Sequence, residues 1–168
     1  LWEMLHCVKS GSNAGWSSFE GHQPFHLDLP LGGPTLKHTV PRLVQPHTEL
    51  RSIIGGVFYQ GKRFPELAGH YVYGCCVTRE IWAVSYDASK DTLGKPFRIA
   101  KISANKLTAV REDHEGELVL ISLSGTVETL AVRETKETFR PWPKTLAETL
   151  LFTDVPAQTP AAGVEEYE

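Results

Sequence analysis

Several residue groups in this 168-residue chain could do chemistry, and their spacing decides which of them are worth following. The seven histidines come first, because a neutral imidazole can ligate a metal or accept a proton near neutral pH. His22 and His26 are four apart, the spacing that puts two rings on one helix face, but Pro24 between them denies that helix. No metal pair is expected there. His47 is the better candidate: it stands just ahead of the β-rich run Arg51-Ser52-Ile53-Ile54-Gly55-Gly56, where a ring lining a cleft could act as a general base. Cys75 and Cys76 are adjacent, and neighbouring side chains of a strand face opposite ways, so two separate thiols are a simpler expectation than a vicinal disulfide. Asp113-His114-Glu115-Gly116-Glu117 is rich in oxygen but lacks the ligand spacing of a calcium loop, and reads as an acidic hairpin turn. No C-x-x-C or C-x-x-C-H occurs, so no haem is attached within the chain.

The elements that would have to position these groups are short strands. Residues 9–50 are dense in Gly, Pro, Asn and Ser and read as one long loop. From Ile53 onward the pattern changes. Runs at 53–60, 70–77, 80–86, 97–102, 107–111, 118–123 and 126–132 are rich in β-branched and aromatic residues, with turn residues between nearly every pair. Seven such runs predict an antiparallel all-β fold. The first four fall between Gly56 and Ile102 or just before, close to the roughly 40 to 50 residues of a four-stranded propeller blade, and the pattern starts again at Leu107. After Arg133 the chain turns polar through Arg140-Pro141-Trp142-Pro143. Thr145-Leu146-Ala147-Glu148 has the capping-box form that predicts a short helix running to about Phe152, and a linker is expected beyond it.

Composition excludes other classes. The net charge is −3 with no basic face, which argues against an extended nucleic-acid footprint, and no apolar run is long enough for a membrane span.

The order Trp2-Glu3, Gly11-Ser12-Asn13-Ala14-Gly15-Trp16, Phe19-Glu20-Gly21 and the stretch from Ile54-Gly55-Gly56-Val57-Phe58-Tyr59-Gln60-Gly61 to His70-Tyr71-Val72-Tyr73-Gly74 resembles the glucose/sorbosone dehydrogenase family. Ile81-Trp82-Ala83-Val84-Ser85-Tyr86-Asp87 and Glu112-Asp113-His114-Glu115-Gly116-Glu117-Leu118 continue the likeness, which covers residues 1 to about 133. The resemblance implies a six-bladed β-propeller that oxidises an aldose or related alcohol at pyrroloquinoline quinone with calcium, in the periplasm or outside the cell. Six blades of about 45 residues need roughly 270, so residues 1–133 would be its C-terminal part, about two blades and a long loop at 9–50. Residues 134–168 would be an exit linker with a short helix. Earlier blades would precede Leu1, and a cytochrome-like domain could follow Glu168. The resemblance implies His47 as the base, with Asn13, Trp16, Thr48, Arg51 and Lys106 near the cofactor; a tight turn with Trp16 as filler is the plainer reading of Asn13-Ala14-Gly15-Trp16. Residues 104–110 carry one Lys where quinone-binding members bring a pair of Arg, and Cys75-Cys76 follows Tyr73-Gly74. These departures open a second reading, a non-catalytic propeller that binds or scaffolds and has lost the cofactor site.

Overall fold

The computed structural model describes residues 1–26, 37–132 and 143–164. The chain divides into two compact units, Leu1–Ala131 and Val132–Glu168. The first is all-β. Its centre is a four-stranded antiparallel sheet made of β5 (Ile53–Phe58), β6 (Tyr71–Cys75), β7 (Glu80–Val84) and β10 (Phe97–Lys101), paired in that order as a meander. A three-stranded sheet follows, β11 (Leu107–Glu112), β12 (Leu118–Ser122) and β13 (Val127–Thr129). Before the central sheet come β1 (Trp2–Leu5) and β4 (Leu43–Pro46), paired antiparallel with Trp2 opposite Pro46 and Leu5 opposite Leu43.

Burial shows why the middle strands read as apolar runs. In β6, Val72, Tyr73 and Cys75 are all fully buried, and in β7 so are Ile81, Ala83 and Val84. An antiparallel sheet with one wet face would alternate instead, so both faces of this sheet are covered. Val72, Ile81 and Ala83 pack with Leu107, Val110, Leu118 and Leu120 of the following sheet. Tyr73, Cys75 and Val84 pack the other way, with Leu50 and the half-buried Leu5 and Leu43. Each fully buried aliphatic side chain contributes roughly 1.5–3 kcal/mol of burial free energy.

Two glycines allow the close approach of strands. The pairing of β5 with β6 slips between Ile54 and Val57, and a side chain at Gly56 would place its Cβ 1.6 Å from the Val72 carbonyl oxygen. At Gly74 a Cβ would sit 2.1 Å from Leu107 Cδ2, so its absence is what lets β11 reach the sheet.

Glu117 closes the same face. It is only 5% exposed, and its carboxylate accepts hydrogen bonds from the Tyr59 hydroxyl (2.7 Å) and from the amides of Lys62 (2.8 Å) and Arg63 (2.9 Å). Burial works to raise its pKa, but these donors outweigh it and hold the carboxyl below its ordinary value. The acidic turn expected from sequence is present, with Asp113 accepting from the amides of Glu115 and Glu117.

The connection at 9–50 is more structured than its composition predicts. It holds a small hairpin, β2 (Phe19–Glu20) with β3 (Gln23–Pro24), and all of β4. Another short hairpin, β8 (Tyr86–Asp87) with β9 (Thr92–Leu93), occupies the turn after β7. Its Asp91 takes the Arg42 guanidinium and the Tyr86 hydroxyl, which ties it to β4. No helix of the described residues is long and apolar enough to cross a membrane.

The second unit corrects two expectations. The capping residues do engage, with the Glu148 amide donating to Thr145 Oγ1 (3.4 Å) and the Lys144 amide to the Glu148 carboxylate (2.7 Å). They nucleate only a single 3₁₀ turn over Ala147–Thr149, because Leu150 takes φ of +60° and no buried residue on the turn repays further winding. Of the stretch 156–168 expected to be a linker, Thr159–Pro160 form β15, which pairs antiparallel with β14 (Phe152–Asp154), and residues 165–168 lie outside the described residues. The Arg140-Pro141-Trp142 part of the expected exit segment lies outside the described residues.

Candidate functional site

Strand direction gathers the polar candidates at one end. β4 ends at Pro46 and β5 starts at Ile53, so the turn 47–52 lies at the end where β6 finishes, β7 begins, β10 finishes and β11 begins. Turn 47–52 is held from below by Leu50, which is fully buried, and by hydrogen bonds from the Glu49 and Leu50 amides to the Pro46 carbonyl. Thr48 and Arg51 are therefore pushed outward and are exposed.

His47 enters this turn with a partner that the sequence does not announce. Alternation along β1 turns Glu3 and Leu5 toward the central sheet, and Glu3 Oε1 lies 3.0 Å from His47 Nε2. The other carboxylate oxygen accepts the Ile53 amide at 2.6 Å, at the first residue of β5. Glu3 thus fixes the His47 ring and the start of the strand at once. The imidazole remains 40% exposed, so one ring nitrogen is oriented by a carboxylate while the ring itself stays within reach of a ligand. A carboxylate in this position fixes which ring nitrogen faces outward.

Arg51 and Lys106 join Arg79 and Lys101 among the cations at this end. Arg51 sits on the turn, and Lys106 ends the connection into β11 with φ of +49°. The backbone around Lys106 is pinned by Glu128 of β13, whose carboxylate accepts the amides of Ala104 (2.9 Å) and Ser103 (3.2 Å) and is held below its ordinary pKa by them. The Leu123 amide donates to the Lys106 carbonyl. Neither Arg51 nor Lys106 has an ion-pair partner among the described residues. Cys75 lies beneath the turn, fully buried, with its sulfur 3.4 Å from the amides of Arg51 and Thr78. Burial raises the thiol, but Thr78, Arg51 and Ser52 outweigh it and lower its pKa. Cys75 and Cys76 are both free.

Asn13 and Trp16 belong to a different part of the chain. Asn13 uses its side-chain oxygen to accept the Gly15 amide (2.8 Å) and its carbonyl to accept the Thr39 amide, which is turn architecture. Trp16 is 68% exposed, stacked at 5.7 Å on Phe25, and precedes a cis peptide bond to Ser17. No hydrogen bond or ring contact joins either residue to His47 among the described residues. His22 and His26 are exposed, and no group of three or more His, Cys, Asp or Glu among the described residues is placed to hold a metal ion.

No family model matches the chain. It is 33% identical over 92 residues to HIPL1 protein of Arabidopsis thaliana, an alignment covering 49% of this chain and 13% of that protein. It is 30% identical over 122 residues to HIPL2 protein of the same plant, covering 64% of this chain and 17% of the relative. The chain therefore spans less than a fifth of the length of the curated relatives to which it is similar.

Proposed function

We propose that residues 1–131 are part of a β-propeller of the glucose/sorbosone dehydrogenase type, and that the end carrying His47 faces a site where a sugar or related alcohol is oxidised outside the cytoplasm. The layered arrangement supports the architecture: a four-stranded meander lies between a preceding strand pair and a following sheet, each joined last strand to first. The observation that carries the chemistry is the Glu3–His47 pair. A ring oriented by a carboxylate can take the proton of a substrate hydroxyl, and Glu3 stabilises the imidazolium that results. The same carbon must also lose a hydride to complete the carbonyl, and pyrroloquinoline quinone, if held at this end, would supply the acceptor for it. Arg51 and Lys106 would hold the quinone's carboxylates, as cations without an ion-pair partner among the described residues can do by charge-assisted hydrogen bonds. The described residues offer no acidic cluster for calcium, so no step is assigned to it.

The test uses the full-length protein with added pyrroloquinoline quinone and calcium, and a panel of aldoses and alcohols with dye reduction as the readout. His47→Ala should lower turnover by about 10² to 10⁴ while leaving quinone binding intact. Unchanged turnover would remove His47 from the chemistry. A second reading, a non-catalytic propeller, is supported by the 104–110 stretch, which brings Lys106 alone to this end. Absence of dye reduction across the whole panel would put that reading first.

A further inference from the structure

Among the described residues β4 pairs with β1 alone, and beside it runs an open groove of about 340 Å³ that no residue of β1 lines. All four residues of β4 border the groove, and Trp82 of β7 stands opposite them. Alternation along β7 sends Ile81 and Ala83 toward β11 and turns Trp82 back toward β4, where its indole is half-buried. Glu49 closes the groove at the end of the His47 turn. Lys95 and Pro96, which lead into β10 from the opposite end of the sheet, close the other.

The two polar ends are set up differently from the buried interior. Gln45 is buried, accepts the Tyr73 hydroxyl and donates to Glu49 Oε2 at 3.4 Å, which folds the Glu49 side chain back from its turn onto β4. Glu49 Oε1 has no hydrogen-bond partner among the described residues, and Lys95 has neither a hydrogen bond nor an ion pair there. Glu49 and Lys95 are both exposed, so a ligand reaches them without displacing protein. An ion of either sign would meet one of the two as a like charge. A hydroxyl donates as well as accepts, and so answers both. A neutral ring with hydroxyls on its rim and C–H groups on its faces suits an acid and an amine set about an indole. That is the chemistry of a sugar ring.

The groove also adjoins the end where oxidation is proposed, since Glu49 and His47 are two residues apart, at most about 7 Å between Cα atoms. We propose that it is a saccharide subsite, and that the substrate is an oligosaccharide whose second ring lies against Trp82 with its hydroxyls on Glu49 and Lys95. The assignment as a substrate subsite rests on the oxidation proposed at His47; the binding of a saccharide ring in the groove does not.

Calorimetry on the full-length protein without quinone reads the groove by itself, with glucose, cellobiose and maltose as probes. One of the two disaccharides should bind about tenfold more tightly than glucose, the effect of one added hydrogen bond to a charged group. Glu49→Ala and Lys95→Ala remove exposed side chains and should leave the circular dichroism unchanged. Each should bring that disaccharide to within about threefold of glucose. Dye reduction with added pyrroloquinoline quinone and calcium then reads the chemistry. The ratio of kcat/KM for the disaccharide to that for glucose should be about ten in the wild type and fall toward one in Glu49→Ala. The proposal is overturned if neither disaccharide binds more tightly than glucose, or if the preference survives both variants. A preference in calorimetry without dye reduction keeps the groove as a saccharide site and removes the oxidation, whereas dye reduction without a preference removes the groove alone.

Discussion

The two faces of the central sheet are built on different terms. Toward β11 and β12 the interface is filled: eleven buried residues form one cluster, and the buried carboxylate there, Glu117, accepts three hydrogen bonds. Toward β1 and β4 the buried cluster has four members, and the remaining space is shared by cavities and polar clamps. Gln45 is buried there and accepts the Tyr73 hydroxyl at 2.6 Å, while Trp82 Nε1 and Arg42 Nε are buried without partners among the described residues. The Glu3–His47 pair and the groove at Trp82 both belong to this second face. Complete packing leaves no room for a ligand, whereas a sparse interface does. The filled face is where stability should concentrate, and the sparse face is where binding should.

The largest expected effect tests the first half of that statement. Leu107 is fully buried and touches the one point where Gly74 admits it to the sheet, so Leu107→Ala should destabilise by about 2–5 kcal/mol, read from chemical unfolding of the full-length protein. A loss under about 1 kcal/mol would mean that this face is less tightly packed than its burial indicates. Next come the two buried tyrosines, one on each side. Tyr59→Phe withdraws a donor from an ionised carboxylate and should lose about 1.5–3 kcal/mol. Tyr73→Phe withdraws one from a neutral amide and should lose about 0.5–1.5 kcal/mol. The reverse order would place the stronger polar tie on the sparse face and break the comparison.

The sequence reveals the filled face far better than the sparse one. β6 and β7 are legible because strands covered on both faces need continuous apolar runs, and β5, β10, β11 and β12 because their β-branched and aromatic residues stand out between turns. β4 is not legible, since Leu43-Val44-Gln45-Pro46 is short, preceded by Pro41 and ended by Pro46, and finds its partner β1 across the whole of the connection 6–42. That pairing is also what turns Glu3 toward His47, so the orienting carboxylate is hidden for the same reason. His47 is legible by residue type and by its place before a strand. Glu117 reads only as part of an acidic hairpin turn, because nothing local shows that Tyr59 and the 62–63 amides will close over it. Thr145 and Glu148 show the opposite failure: a valid local signal for a helix start loses to a left-handed Leu150 and a β-forming Phe152-Thr153-Asp154.

The smallest effect concerns the tie that holds the β8–β9 hairpin to the sparse face. Asp91 accepts from Arg42 and from the Tyr86 hydroxyl (3.1 Å), and the Arg42 hydrogen bond is the main reason its carboxyl is held at about 2, below the ordinary 3.8. A depressed carboxylate pKa means that the folded state favours the ionised form. Its stabilisation is therefore fully present above about pH 3.8 and is lost as pH falls from there through about 2. Asp91→Asn removes the ionisation, so the gap in unfolding midpoint between wild type and variant should be open at pH 6 and close by about pH 2. The gap should be modest even at pH 6, because both partners are half-exposed and solvent screens them. Glu117, on the filled face, is also held below its ordinary value and adds its own acid-labile contribution to both proteins, which the difference between them cancels. A gap that stays constant from pH 6 to 2, or widens toward acid, would show that Asp91 supports the hairpin by packing alone, and that the sparse face is held together without this ion pair.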